Sequence, residues 1–214
     1  MRSGIILADG KSSRMGHAKE LLGLDNKPMM SWVAERLSSL VDEVILSVSK
    51  EDLEYALEMP VRVAVDSTTG LGPISGLQSS FRMANGEYVA VAPWDTPFVL
   101  PELYKLLLES ADGFDGAVPK VNGMYELLCA VYRREPMLEA IENVLSSHEK
   151  RLIDTYQYLK IVEIDEKRIR QVDSCLLSFL NINTIEEFEF ARGFVAELPE
   201  RRINERRTRG RSRS

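Results

Sequence analysis

The chain has 214 residues, a length that allows one domain with a sizeable hydrophobic core. Its 44% apolar and 28% charged residues are typical of a globular protein, and no apolar run approaches the roughly 20 residues that a membrane-spanning helix needs. The net charge is −6, but residues 201–214 carry seven Arg and one Glu, so that residues 1–200 carry −12. Such an acidic body argues against a broad nucleic-acid-binding surface.

Apolar, strand-like runs alternate with amphipathic, helix-like stretches over the first 110 residues, which predicts a mostly parallel sheet with helices on both faces. The predicted strands are Ile5–Ala8, Val44–Val48, Val61–Val65, Tyr88–Ala92, Gly116–Val118 and Leu127–Tyr132, with weaker ones near Lys160–Ile164 and Ser178–Leu180. The predicted helices are Pro28–Leu40, Asp52–Leu57, Ile74–Met83, Pro101–Glu109, Pro136–Leu145 and Thr184–Val195.

Two local signals refine this prediction. Asn122-Gly123 is a strong tight-turn pair, so we expect an antiparallel hairpin inserted in the parallel order. Thr184, followed by "IEE", is typical of a helix N-cap with acidic residues in the first turn. The chain is therefore predicted to form one three-layer α/β/α domain over residues 1–197, followed by a basic, disordered tail over residues 198–214. That tail is either a solvated end or an arm that binds polyanions.

The cysteines and histidines restrict the chemistry. Cys129 and Cys175 both stand in apolar surroundings and are predicted to be buried free thiols. Only two histidines are present, too few for a Cys/His metal cluster. The N-terminal segment lacks the small-residue cleavage pattern of a signal peptide, so we expect a cytoplasmic protein.

The loop after the first strand, "ADGKSSRMGHAK", has the composition of a phosphate site. Gly10 and Gly16 permit tight turns whose N–H groups can surround phosphate oxygens, and Arg14 and Lys19 supply cations. The spacing is neither that of a P-loop nor that of a Rossmann fingerprint. On composition alone, a solvated loop fits equally well.

Other predicted strands also end in polar loops. Asp66 ends the third strand ahead of a Gly-rich turn, and Asp95 follows the fourth between Pro93 and Pro97, too far upstream to cap the helix at residue 101. Asn181 and Asn183 stand just before the last helix, where they serve either as turn and cap residues or as site residues. Because ligands of open α/β sheets bind at the carboxyl ends of the strands, these loops together predict one polar site.

The same loops carry a resemblance. "LADGKSSRMGHAKELL" resembles the LAGG-x-x-x-RMG-x-x-K signature of sugar-nucleotide-type nucleotidyltransferases. Together with "VDSTTGLGPISGL", "PWDTPF" and "FLNINT", it makes the chain similar to the molybdenum cofactor guanylyltransferase family from residue 4 to about residue 195.

The resemblance implies a Rossmann-like nucleotidyltransferase fold and transfer of GMP from GTP to molybdopterin, with release of pyrophosphate and with Mg²⁺ as cofactor. It implies that Arg14 and Lys19 bind the phosphates, that Asp95 holds Mg²⁺, and that these three are the catalytic residues. It places Asn183 at the acceptor or the metal. The nucleotide-binding residues it implies are Leu7, Ala8, Asp9, Gly10, Arg14, Lys19, Asp66, Gly76 and Asp95.

Four positions depart from the family pattern. Asp9 stands where the family has the first glycine of its pair, Ser47 replaces a frequent Asn, Trp94 a small Cys and Leu127 a common Pro. A carboxylate 4 Å from a phosphate charge is repelled by ~4 kcal/mol at an effective dielectric near 20, whereas one at a base edge accepts from amino groups.

Two alternatives stay open at this stage. One is a related nucleotidyltransferase that uses CTP or GTP on another phosphorylated small molecule. The other is a catalytically weak adaptor that binds nucleotide and carries molybdopterin to the maturation proteins of molybdoenzymes. Neither nucleic acid nor a membrane is an expected partner.

Overall fold

The structure, a computed structural model, describes residues 1–8, 23–25, 27–57, 59–66, 71–147 and 150–197, with the backbone alone for Tyr55, Ala196 and Glu197. The predicted site residues Asp9, Gly10, Arg14 and Lys19 and the predicted tail lie outside these ranges.

The strands are β1 (Arg2–Ala8), β2 (Gly23–Leu24), β3 (Lys27–Pro28), β4 (Glu43–Val48), β5 (Arg62–Val65), β6 (Tyr88–Pro93), β7 (Gly116–Val121), β8 (Met124–Tyr125), β9 (Ala130–Arg133) and β10 (Ile161–Asp165). The α-helices are α1 (Met29–Ser38), α2 (Leu53–Ala56), α3 (Pro73–Met83), α4 (Pro101–Ser110), α5 (Arg134–Ser146), α6 (Glu166–Ile169) and α7 (Ile185–Glu197). Two 3₁₀ helices span Leu152–Tyr158 and Leu177–Phe179.

The main sheet has the strand order β10-β7-β9-β6-β1-β4-β5, with β8 paired to β7. Neighbours are parallel except for β9, which runs antiparallel to both β6 and β7, and for β8. Asn122 (φ 49°) and Gly123 (φ 78°) form the turn between β7 and β8, where positive φ at both positions matches the twist of a hairpin. The mostly parallel sheet and the antiparallel hairpin are confirmed.

Alternating side chains of the strands divide the interior into two cores. Ile5 and Leu7 of β1 pack with α3 and α5 on one face, whereas Ile6 and Ala8 pack with α1, α4 and α7 on the other. Successive residues of a strand point to opposite faces, so an uninterrupted apolar strand requires cover on both sides. The three-layer α/β/α arrangement is confirmed.

Three local predictions are wrong. The strand predicted at Leu127–Tyr132 begins only at Ala130, because residues 126–129 form a turn in which the Cys129 N–H donates to the Glu126 carbonyl at 3.1 Å. In the segment Ser178–Leu180, Ser178 and Phe179 belong to a 3₁₀ helix and Leu180 follows it, so no strand forms there. Cys129 is buried as predicted, but Cys175 is exposed.

At the amino ends of the strands, Glu43 joins four neighbouring segments. Its carboxylate accepts the Ser3 hydroxyl (2.6 Å) and the Asn85 backbone N–H (2.7 Å), and it forms an ion pair with Arg62. Burial on its own would raise the pKa of Glu43, but these hydrogen bonds outweigh it and hold the pKa below 4.5. Gly86 is required there, because a Cβ would lie 2.4 Å from the Ser3 nitrogen.

None of the helices in the described ranges is suited to crossing a bilayer.

Candidate active site

The carboxyl ends of β1, β4, β5 and β6 meet at one edge of the sheet because these strands are parallel. Since β9 is antiparallel to β6, the residues just before β9 reach the same edge. A cavity of about 450 Å³ opens there, within the 300–1,000 Å³ range of small-molecule sites. Its described lining residues are Leu7, Pro73, Pro93, Trp94, Asp95, Thr96, Tyr125, Glu126, Leu127, Leu128, Cys129, Leu152, Ser178, Phe179, Asn181 and Asn183.

Asp95 lies in this cavity on a loop that is fixed at both sides. The Trp94 N–H donates to the Leu7 carbonyl at 3.2 Å, which extends the β1–β6 ladder past the end of β6. The Asp95 carbonyl accepts the Ile182 N–H at 2.9 Å, so the loop is bound to the segment that holds Asn181 and Asn183. The predicted meeting of Asp95 with Asn183 in one place therefore occurs.

Asn183 and Thr184 form the start of α7. The Glu187 carboxylate accepts the Asn183 N–H (2.6 Å) and the Thr184 N–H (2.9 Å), and the Glu187 N–H donates to the Thr184 hydroxyl at 3.1 Å. This reciprocal capping box confirms Thr184 as the N-cap. Asn183 takes part in the cap through its backbone N–H, and the same residue also lines the cavity.

Asp173 organises the part of the cavity wall that contains Ser178 and Phe179. Its buried carboxylate accepts the N–H groups of Leu177 (2.9 Å) and Ser178 (2.8 Å), which starts the 3₁₀ helix that was predicted to be a strand. The Ser178 hydroxyl accepts the Leu100 N–H at 3.0 Å and so joins this wall to the start of α4. Helix α4 is therefore not capped by Asp95.

The segment Tyr125–Cys129 contributes five consecutive residues to the cavity, and none of them was predicted as a site residue. The Tyr132 hydroxyl donates to the Leu127 carbonyl at 2.8 Å and fixes the turn. Glu126 is half-buried, and burial raises the pKa of its carboxyl group. The Asn122-Gly123 turn could have pointed to these residues. It predicts a returning antiparallel strand, and such a strand begins at the sheet edge where the parallel strands end.

The remaining described candidates lie elsewhere. Asp66 sits at the carboxyl end of β5, where its carboxylate accepts the Ser75 hydroxyl at 2.5 Å. Gly76 is buried within α3, and its carbonyl accepts the hydroxyls of Ser47 (3.1 Å) and Ser80 (2.8 Å). Neither residue, nor Ala8 at the end of β1, is among the described residues that line the cavity. Their predicted contacts with nucleotide stay predictions.

The donor set of the cavity suits a hard cation. Asp95 offers a carboxylate, and Asn181 and Asn183 are amide residues in the same wall. Mg²⁺ binds through one or two carboxylates and fills its other positions with water and substrate phosphates, so this sparse oxygen set fits it. By contrast, burial raises the pKa of the Cys129 thiol to about 12, which leaves it protonated and unsuited to act as a nucleophile.

Comparison with known proteins agrees with this geometry. The sequence matches the MobA-like NTP transferase domain over residues 4–161. A protein of Methanosarcina acetivorans named "Probable molybdenum cofactor guanylyltransferase" is 37% identical over 205 residues, which cover 91% of each chain. The "Molybdenum cofactor guanylyltransferase" of Desulfosudis oleivorans is 36% identical over 197 residues, 90% of this chain and 95% of that one.

Solved structures share the fold. Molybdopterin-guanine dinucleotide biosynthesis protein A from Archaeoglobus fulgidus superposes with a TM-score of 0.76 at 24% identity, covering 92% of this chain and 100% of that one. The 4-diphosphocytidyl-2C-methyl-D-erythritol synthase of Anaerococcus prevotii reaches 0.69 at 16% identity, covering 92% and 96%. The sequence matches, together with the rim that Asp95 and Asn183 share, show that this chain belongs to the MobA-like NTP transferase family and is a nucleotidyltransferase.

Proposed function

We propose that this nucleotidyltransferase transfers GMP from GTP to molybdopterin and requires Mg²⁺. The observation that carries the proposal is the cavity that Leu7, Asp95 and Asn183 share. Leu7 begins the "LADGKSSRMG" segment, and Asp95 and Asn183 belong to "PWDTPF" and "NINT". Relatives that align over about nine-tenths of the chain are named for this reaction.

The reaction is an in-line exchange at phosphorus. An oxygen of the acceptor's terminal phosphate forms a bond to the α-phosphorus of GTP, and the bond from that phosphorus to the α–β bridging oxygen breaks. Pyrophosphate leaves with the bonding electron pair, and the new P–O–P bond joins GMP to the acceptor. No protein nucleophile is needed, so catalysis rests on positioning and charge neutralisation.

The chain's own residues supply that positioning. Asp95 would hold Mg²⁺, which neutralises phosphate charge when bound. The Asp95–Ile182 hydrogen bond fixes the carboxylate-bearing loop against the Asn181–Asn183 segment. Arg14 and Lys19, in the loop after β1, are proposed to bind the phosphates and to offset the charge on the leaving pyrophosphate. Asn183 is proposed to contact the acceptor.

The test is Asp95→Asn, which keeps the side-chain shape and removes the charge. With GTP, Mg²⁺ and molybdopterin, formation of the guanine dinucleotide, measured by mass spectrometry, is expected to fall about 10²- to 10³-fold. Asp112→Asn is the matched control, since Asp112 is exposed at the other end of α4. Asp95→Asn activity equal to that of the control would overturn the assignment of Asp95.

The same assay with each of the four nucleoside triphosphates tests the choice of nucleotide. GTP is expected to support the reaction best. An equal or faster reaction with CTP would contradict the guanylyl assignment, and absence of any transfer would favour the adaptor alternative. The cytoplasm, where GTP is abundant, is the proposed compartment, and molybdoenzyme maturation proteins are the proposed recipients of the product.

A further inference from the structure

Glu126 is the second carboxylate of the cavity, and the proposed reaction does not use it. The backbone of Glu126 is fully engaged: its N–H donates to the Pro119 carbonyl at 2.9 Å, and its carbonyl accepts the Cys129 N–H. Its carboxylate has no hydrogen bond or ion pair to any residue in the described part of the chain. By contrast, the buried carboxylates of Asp66 and Asp173 both accept hydrogen bonds.

A half-buried carboxylate that has no donor among the described residues is costly unless another group supplies one. Removal from water accordingly raises the pKa of Glu126. The group is therefore prepared to accept N–H donors from a molecule that enters the cavity.

The residues around Glu126 indicate the chemical class of the molecule that the cavity binds. Leu127, Leu128, Tyr125 and Phe179 give an apolar and aromatic wall. Among the described lining residues there are two carboxylates and no Lys or Arg, so this wall does not suit a phosphate group. It suits the face of a planar, uncharged heterocycle whose edge carries N–H donors.

The topology places Glu126 on the other side of β6 from the predicted phosphate-binding segment. In the strand order, β1, β4 and β5 lie on one side of β6, with the predicted phosphate-binding loop after β1 and with Asp66 after β5. The turn that contains Glu126 precedes β9, on the other side of β6. Asp95, directly after β6, lies between the two halves.

We propose that Glu126 is a specificity-determining residue that accepts two N–H donors from the aminopyrimidinone edge of the acceptor's pterin. That edge carries an N3–H and a 2-amino group side by side, a spacing that matches the two oxygens of a carboxylate. This inference rests on the proposed function, because molybdopterin is the acceptor that brings a pterin to this cavity.

Direct binding provides a test that does not depend on catalysis. The probes are 6-hydroxymethylpterin and 6-hydroxymethyllumazine, which differ at C2 and N1. Lumazine has a 2-carbonyl and an N1–H where pterin has the 2-amino group and an unprotonated N1. By fluorescence titration, the wild-type protein is expected to bind the pterin about 10- to 100-fold more tightly, since lumazine sets a carbonyl oxygen against the carboxylate. Glu126→Gln is expected to lose most of this preference, whereas Glu139→Gln, at an exposed site on α5, keeps it.

Steady-state kinetics then distinguish the acceptor from the nucleotide, since guanine offers a similar donor edge. Glu126→Gln is expected to raise the KM for molybdopterin about 10- to 100-fold and to leave the KM for GTP unchanged. A raised KM for GTP instead would overturn the acceptor assignment, as would equal binding of pterin and lumazine by the wild-type protein.

The two proposals fail separately. If the wild-type protein transfers GMP but Glu126→Gln, folded by circular dichroism, keeps both KM values, the Glu126 inference is overturned and the proposed function stands. If the wild-type protein transfers no GMP yet discriminates pterin from lumazine through Glu126, the transfer reaction is overturned and pterin recognition stands.

Discussion

Asp173 shows how one buried side chain determines the shape of the cavity. Both of its carboxylate oxygens accept backbone N–H groups, at Leu177 and Ser178, and the residue is 2% exposed. The turn that it caps carries Ser178 and Phe179 into the cavity wall. The residue contacts no substrate in the proposed mechanism, and its role is to hold this wall in place.

Asp173→Ala is expected to lower the free energy of unfolding by roughly 2–4 kcal/mol, because two charge-assisted hydrogen bonds are lost and two N–H groups lose their acceptor. Urea denaturation followed by circular dichroism measures the change. Asp112→Ala, at an exposed position, is expected to stay within about 0.5 kcal/mol of wild type. A loss of less than about 0.5 kcal/mol for Asp173→Ala would show that these two hydrogen bonds do not stabilise the fold.

Residue-level prediction succeeded where chain position alone determines location. Asp95 directly follows the parallel strand β6, and such positions converge on one edge of a parallel sheet. Asn183 follows a 3₁₀ helix instead, and the hydrogen bond from the Ile182 N–H to the Asp95 carbonyl holds its segment at the same edge. Glu126 was not identified, because the prediction considered only loops that follow strands, whereas Glu126 lies before the antiparallel strand β9. Gly76 lies in α3, where its carbonyl accepts the Ser47 and Ser80 hydroxyls, and its contact with nucleotide stays a prediction.

At the level of elements, the Glu43 cluster joins β1, β4, β5 and the turn before β6 at the edge of the sheet opposite the cavity. Its contribution to stability depends on pH. Because the folded-state pKa of Glu43 is lowered, the stabilisation is fully present above the unfolded pKa of about 4.5 and is lost as the pH falls through the folded pKa.

Glu43→Gln is therefore expected to lower the free energy of unfolding by roughly 1–2 kcal/mol at pH 7. The difference from wild type should shrink as the pH is lowered below about 4.5, where the wild-type carboxylate takes up a proton. Urea titrations at several pH values measure both quantities, with the exposed Glu51→Gln as the control. A difference that is constant across this range would contradict the role of the ionised carboxylate.

Each element that was misassigned or missed has its own physical cause. The apolar run "LLSFL" contains β-compatible residues, yet the segment turns because the Asp173 carboxylate accepts the N–H groups four and five residues further along the chain. The pair β2–β3 has two residues in each strand, too few for a periodic pattern. By contrast, the predicted strands of the parallel half were correct to within a few residues, because burial on both faces gives continuous apolar runs.

At the level of the whole molecule, the residues that stabilise the sheet and the residues of the candidate active site lie at opposite ends of its strands. The Glu43 cluster lies at the amino ends of the strands and the cavity at their carboxyl ends, so the two are about a strand length apart. Helix α7 completes the core through Phe188, Ala191 and Val195, and Phe194 packs against Phe98 at 5.0 Å between ring centroids. The domain therefore needs the chain through the end of α7.

A chain that ends at Glu197 is accordingly expected to keep the kcat/KM for GTP within about twofold and to keep the melting temperature of the full chain. Removal of residues 198–214, which hold seven Arg and two Glu, takes away a charge of +5. Any salt-sensitive binding to heparin, measured on a column, is expected to weaken as a result. A large loss of activity on truncation would instead make these residues part of the active site and contradict the predicted domain boundary.

The single reversed strand beside β6 has an evolutionary consequence. The residues that precede β9 and those that follow β1 come from separate stretches of the chain, with β6 between them. Mutations in one stretch can accumulate without disturbing the other, so descendants of such an ancestor can exchange the molecule that receives the nucleotide while they retain the same triphosphate donor. The strand order of this sheet thus allows the acceptor specificity to change through substitutions in one segment of the chain.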